Sequence, residues 1–241
     1  MTEEPYRWLE AIKNRREYIR DQIKGGTPVF AISRPEGILL LGLGQGQSKV
    51  FEIYDRHGFA ALGHPVDIEK LRQSAIEAAH LEGFNRSSRD VTLRRLISFS
   101  LSTTLKSSFE QIFSPPLMVE CIFAELGSEP AKDVLARVHF DGNHRYESDG
   151  VSIAHSNHQQ EISAVAWIKS KLKRDDSLAK TTTVCLTAWK ALTDNASFDH
   201  LKVPSKHVHS VDGRLLEAAL LDRHAPAPVH YRTLTTHDLK S

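Results

Sequence analysis

The sequence has 241 residues, 40% of them apolar and 25% charged, and its 31 Lys and Arg almost cancel its 30 Asp and Glu. That balance excludes a disordered chain, a supercharged nucleic-acid tail and a collagen-like repeat, and the length fits one domain that buries a core without disulfides or metal. No run approaches the roughly 18 consecutive apolar residues of a membrane span, and the opening MTEEPYRW lacks the basic-then-apolar pattern of a secretory leader. A cytoplasmic address without a membrane partner is therefore expected.

Residues 1–24 read as an amphipathic helix, with Leu9, Ile12, Ile19 and Ile23 at helical spacing, Pro5 near the start and Gly25-Gly26 at the end. Short apolar or alternating runs follow at 28–33, 37–43, 49–54 and 58–62, punctuated by Pro35-Glu36-Gly37 and the glycines of 42–46, and read as strands joined by tight turns. Asp67 is placed to cap a helix carrying Ile68, Leu71, Ala75 and Ala78, and Ser88 to cap a long one reaching Ile112, ended by Pro115-Pro116.

Strands resume at 117–126 and 134–140. Asp141-Gly142-Asn143 makes a turn, and 146–153 is a further strand. Helices are expected near 159–173 and 177–194, a loop over the polar, histidine-bearing stretch 194–213, and a last strand pair at 215–222 and 229–235, interrupted by Ala225-Pro226-Ala227-Pro228. Strands separated by short turns pair antiparallel, and each helix needs a sheet for its apolar face, so the pattern specifies an α+β fold. The arrangement we assign is a four-layer α/β/β/α sandwich.

Few motifs carry chemistry. Gly42-Leu43-Gly44-Gln45-Gly46 follows a strand, but the next residues are extended and no GK[ST] appears, so the stretch reads as a hairpin turn rather than a phosphate cradle. His155/His158 and His207/His209 are the closest histidine pairs, without a cysteine or carboxylate set at a recognised spacing; neither a metal nor another cofactor is expected. Cys121 and Cys185 are far apart and read as core residues in a reducing compartment. Lys13, Arg15, Arg16, Arg20 and Lys24 crowd one helix, and Lys169, Lys171, Lys173 and Arg174 another. Glu10, Glu17, Asp21, Asp175 and Asp176 dilute both clusters, so they read as solvated faces or subunit contacts rather than a nucleic-acid surface. Thr27 follows Gly26, and a threonine freed by cleavage there would supply a hydroxyl nucleophile and an α-amino base.

The run from Lys49 to Gly63, KVFEIYDRHGFAALG, resembles proteasome α subunits, most closely the actinobacterial type. Leu71-Arg72, Gly83 and Arg89-Asp90-Val91-Thr92 fall where that family has its helix signatures. The likeness continues through Val119-Glu120-Cys121, Phe140-Asp141-Gly142 and Leu216–Asp222, nearly the whole chain. Glu17-Tyr18, nine and eight residues before Gly26, resembles the pair and closing glycine of the α-subunit leading helix. Departures are the Gly42–Gln47 loop, more charged in many relatives, His64 where archaeal relatives have an apolar residue, and His155 near a turn that is usually glycine-rich.

The resemblance implies an amino-terminal-nucleophile (Ntn) hydrolase sandwich, with 1–24 a gate segment and leading helix and 25–241 a single domain. It implies a heptameric ring of this chain, stacked on rings of proteasome β subunits that carry the protease sites. It further implies an axial gate at Met1, Thr2, Glu3, Glu4 and Pro5, and docking of a ring-shaped ATPase or other activator around Lys49, Glu17, Gly26 and Gly63. In the β family the nucleophilic threonine is joined by an aspartate sixteen residues on and a lysine thirty-two on; counting from Thr27 gives Leu43 and Phe59. On that count the chain has no catalytic residue. Two other readings remain open: a self-cleaving threonine peptidase using Thr27, and a non-proteolytic ring scaffold that binds nucleic acid.

Overall fold

The structure is a computed structural model that describes residues 4–204, 210–211, 213–235 and 237–239, with the backbone alone at Glu4, Pro5, Tyr6, Ser210 and Val211. The leading helix α1 (Glu4–Ile23) is followed by β1 (Val29–Arg34), β2 (Gly37–Gly44), β3 (Val50–Tyr54) and β4 (His57–Gly63). Helix α2 (Pro65–Asn85) leads through a 3-10 turn at Ser88–Asp90 into α3 (Leu93–Leu96), a π turn (Ile97–Leu101) and α4 (Ser102–Glu110). Next come β5 (Val119–Glu125), β6 (Val134–Val138), β7 (His144–Glu147), β8 (Val151–Ala154), α5 (His158–Lys171) and α6 (Leu178–Thr193). The chain closes with β9 (Ser210–Val211), β10 (Arg214–Asp222) and β11 (Tyr231–Thr233).

All strand pairs are antiparallel. One sheet runs β11-β10-β2-β1-β8, with β9 beside β10; the other runs β3-β4-β5-β6-β7. Because side chains alternate faces along a strand, each sheet feeds two cores. Phe30, Ile32, Leu39, Leu41 and Leu43 of the first sheet pack on Trp167, Val184 and Trp189 of α5 and α6. Their neighbours Val29, Ala31, Ile38 and Leu40 meet Ala60, Leu62, Ile122 and Ala124 of the second sheet. On its far side Phe59, Cys121 and Phe123 pack on Leu71, Leu96, Leu101 and Leu105 of α2 to α4. The four-layer assignment is thus what the packing forms.

The leading helix shares the inter-sheet core, since Ile19 and Ile23 are buried there beside Val50, Phe109 and Phe140. Arg15 fixes its outer face by donating to three carbonyls at the end of α4: Ser108 at 2.9 Å, Ser114 at 2.7 Å and Ile112 at 3.3 Å. Arg16 pairs with Asp141 at 2.6 Å in the β6–β7 turn.

Several expectations need correction. Asp67 does not cap α2, which starts after His64 with Pro65 in its first turn; instead the buried Asp67 carboxylate accepts the Met118 N–H at 3.1 Å and ties α2 to β5. Proline suits that place because its missing N–H would be unpaired there anyway. Ser88 opens only the short 3-10 turn, and the long helix begins after Thr92. The single strand expected at 146–153 is two, β7 and β8, which lie in different sheets. The loop expected over 194–213 contains β9; its His207/His209 pair lies outside the described residues. The last two helices are as expected, and each has a polar cap: Asn157 accepts from the Gln159 and Gln160 amides, and Ser177 from the Lys180 amide.

Candidate functional site

At one end of the sandwich β1, β2, β3 and β10 bring together Thr27, Lys49 and Glu217. Thr27, 4% exposed, precedes β1 and donates its hydroxyl to the Leu43 carbonyl of β2 at 2.8 Å. Lys49 precedes β3. Its ammonium lies 2.6 Å from Thr27 Oγ1 and 3.3 Å from the Thr27 carbonyl oxygen, while its backbone N–H donates to Glu217 Oε2 of β10 at 2.6 Å.

Burial pushes the Lys49 ammonium down to about 8, against the pull of Glu217, and Arg214 adds to the fall. Burial likewise raises the Glu217 carboxyl, although the Lys49 and Val50 amides and the Lys49 charge oppose it. The corner therefore holds a desolvated lysine with incomplete compensation.

This corrects the count from Thr27. The lysine that reaches the threonine is Lys49, twenty-two residues on, while Phe59 is buried on the other face of the second sheet beside Phe123. Lys49 reaches Thr27 from the end of the short loop between β2 and β3, residues 45–49. Leu43 offers the hydroxyl a backbone carbonyl and no carboxylate. Thr27 follows Gly26, whose N–H closes α1 on the Ile23 carbonyl at 2.8 Å. While the Gly26–Thr27 peptide bond is intact, the Thr27 nitrogen is an amide and no base.

The other expected docking residues are distributed as follows. Gly26 adjoins Thr27. Gly63 ends β4, two residues beyond Ala61, whose N–H donates to the Lys49 carbonyl at 3.0 Å. Gly63 has φ +136°, and a Cβ there would stand 2.1 Å from the Met118 carbonyl oxygen, so only glycine fits this turn out of the sheet. Glu17 is exposed on α1, with Lys13 at 3.9 Å as its ion-pair neighbour. Of the gate residues, Met1, Thr2 and Glu3 lie outside the described residues, and Glu4 and Pro5 open α1.

A second charged cluster was not visible in advance. Arg137 of β6 is fully buried; it bonds the carbonyls of Val138 at 2.8 Å, Cys121 at 3.3 Å and His155 at 3.4 Å, and it pairs with Glu161 at 3.2 Å and with Glu120. Burial alone would raise the Glu161 carboxyl, but Arg137 and Arg145 outweigh it and hold it below the usual carboxylate range. His139 adds a contact to Glu120 at 2.9 Å. The available signal was an arginine at an inward position of an otherwise apolar alternation, Val134 to Val138. No group of three metal-ligating side chains occurs among the described residues, and no helix among them is long and apolar enough to cross a membrane. Cys121 and Cys185 are free and buried, and burial pushes the Cys185 thiol up to about 12.

Two antiparallel sheets clasped between helix layers, with a threonine just before the first strand and a lysine at its hydroxyl, define the class as an Ntn-hydrolase-type sandwich. No family model matches the chain. Individual proteins do: it is 34% identical to the proteasome subunit alpha of Actinosynnema mirum over 222 residues, 90% of this chain and 78% of that one. It is also 33% identical to that of Jonesia denitrificans over 231 residues, 95% and 92% of the two chains, and 30% identical to that of Saccharomonospora viridis over 235. The chain belongs to the proteasome α-subunit family.

Proposed function

We propose that this chain is a non-catalytic subunit of the outer ring of a proteasome core, which admits substrates to β subunits and docks activators. The observation that carries the reading is the likeness to proteasome α subunits at about a third identity along nearly the whole chain, joined to a leading helix that is packed into the core ahead of Thr27. In this reading seven copies form a ring on a ring of β subunits, and Met1–Pro5 gate the pore. The terminal carboxylate of a ring-shaped ATPase or other activator docks at Lys49, with Glu17, Gly26 and Gly63 converging on it between adjacent copies. Protein degradation is then the work of the β sites. A cytoplasmic address fits that role.

The test is co-expression with a β subunit. A large particle with peptidase activity is expected, with basal peptide entry raised by deleting Thr2–Pro5, and activator stimulation reduced by Lys49→Ala without loss of assembly. Failure to co-assemble with any proteasome β subunit would overturn the reading.

One observation favours a second reading. The Lys49 ammonium at 2.6 Å from the Thr27 hydroxyl is the contact a self-cleaving threonine peptidase needs. Intact mass separates the two: the full chain is expected, and a species beginning at Thr27 that cleaves peptides and vanishes in Thr27→Ala would establish the peptidase. The scaffold that binds nucleic acid has less support, because Arg15, Arg16 and Lys169 are engaged within the chain, Lys169 with Asp149 at 2.6 Å.

A further inference from the structure

The surroundings of Lys49 hold its ammonium in one place. The stem lies over Gly42, where a Cβ would stand 3.2 Å from Lys49 Cβ and 3.5 Å from Cδ, so the bare glycine leaves the stem its lane. At its root the backbone N–H is held by Glu217. At its tip two oxygens of one residue, the hydroxyl and the carbonyl of Thr27, face the ammonium. Thr27 spends its only hydroxyl proton on Leu43, so towards Lys49 its oxygen can only accept. An ammonium carries three N–H donors, and two are committed to Thr27.

We propose that Thr27 is a positioning residue for carboxylate capture: it takes two N–H donors of Lys49 and leaves the third directed to the free C-terminal carboxylate of an incoming peptide tail. This rests on the docking reading above and assigns Thr27 a role in it that is distinct from nucleophilic attack. Besides Thr27, the groups among the described residues that face Lys49 are Glu217 and Arg214 of β10, with the Tyr231 hydroxyl of β11 bonded to the adjoining Val50 carbonyl at 3.3 Å. Glu217 is occupied by backbone amides, so among the described residues the ammonium has no carboxylate to itself, and a tail carboxylate fits that place. Capture needs the charged lysine, and weakens as pH rises through about 8. Removing the Thr27 acceptor withdraws support from the charged form and moves that midpoint to lower pH.

The experiment uses the full chain in its particle with β subunits. The probes are a mixed-sequence pool of fluorescent octapeptides with free C-terminal carboxylates and the same pool amidated. Acetic anhydride labelling of Lys49, read by mass spectrometry across pH, follows its protonation. The wild-type particle is expected to retain the acid pool over the amide pool, and Lys49→Ala to abolish the difference. Thr27→Val is expected to cut the preference by about tenfold or more, as for one lost bond to a charged group, and to lower the labelling midpoint; Thr27→Ser restores both. A Thr27→Val particle that keeps the full preference and the wild-type midpoint, while Lys49→Ala loses the preference, overturns the positioning role and leaves docking at Lys49 standing. An acid preference that is absent in wild type or intact in Lys49→Ala overturns docking itself.

Discussion

Lys49 and Arg137 are both cations drawn into the sandwich, and the fold treats them in opposite ways. Arg137 receives two carboxylates and three carbonyls, and although burial alone would lower it, Glu120 and Glu161 raise its affinity for its proton. Lys49 receives a hydroxyl, one carbonyl and a carboxylate already engaged by its backbone, and burial wins. A compensated charge is a structural rivet, whereas an under-compensated one retains capacity for a partner from outside.

The largest effect that would break this contrast is at the rivet. Arg137→Ala takes from the buried Glu120 and Glu161 the cation they share, leaving only Arg145 on Glu161 and His139 beside Glu120, and should cost about 3–5 kcal/mol in urea unfolding; a loss below about 1 kcal/mol would mean the cluster is solvated. Its acid limb has a definite sign. The Glu161 carboxyl is held below its unfolded value, so its contribution is present at neutral pH and fades as pH falls below about 4. Glu161→Gln should flatten that fall.

Next in size, Arg15→Ala removes three bonds to the end of α4 and should cost roughly 1–3 kcal/mol, read as faster amide exchange along α1. Unchanged exchange would show that Ile19 and Ile23 alone hold the helix.

Lys49→Met should act in the other direction, stabilising the fold by roughly 1–2 kcal/mol at pH 7 after allowance for its partial exposure. The folded value of about 8 lies below the unfolded lysine, so the cost of the charge is full below pH 8 and disappears by about pH 10.4. The gain should follow the same course, and a variant less stable than wild type at pH 7 would remove the contrast with Arg137. Smallest of all, Thr27→Ser keeps the hydroxyl and should change stability by less than about 0.5 kcal/mol.

Much of the fold was legible because apolar periodicity marks elements whose burial is one-sided. Val29 to Arg34 and His57 to Gly63 lie within a residue or two of the runs expected for them. The split between β7 and β8 was not legible: Ser148-Asp149-Gly150 is too short to interrupt an extended pattern, and only packing sends its two flanks to different sheets. The likeness named Lys49, Gly26 and Gly63, but the Thr27 contact escaped a fixed count because loop length changes spacing without changing which strands are neighbours. Arg137 escaped because its burial depends on Glu161, twenty-four residues away in another layer.

The two short crossings between the sheets have a mechanical consequence. Residues 45–49 join β2, in the middle of the first sheet, to the edge strand β3 of the second, and residues 148–150 join the edge strands β7 and β8, so two threads of at most five residues tie the sheets together. At about 3.3–3.6 Å per extended residue, neither thread has much slack, so the sheets are held close where the threads cross, and Ile19 and Ile23 of α1 fill part of the core between them. Lys49 is the last residue of one thread, so a pull on its side chain is delivered to both sheets at once.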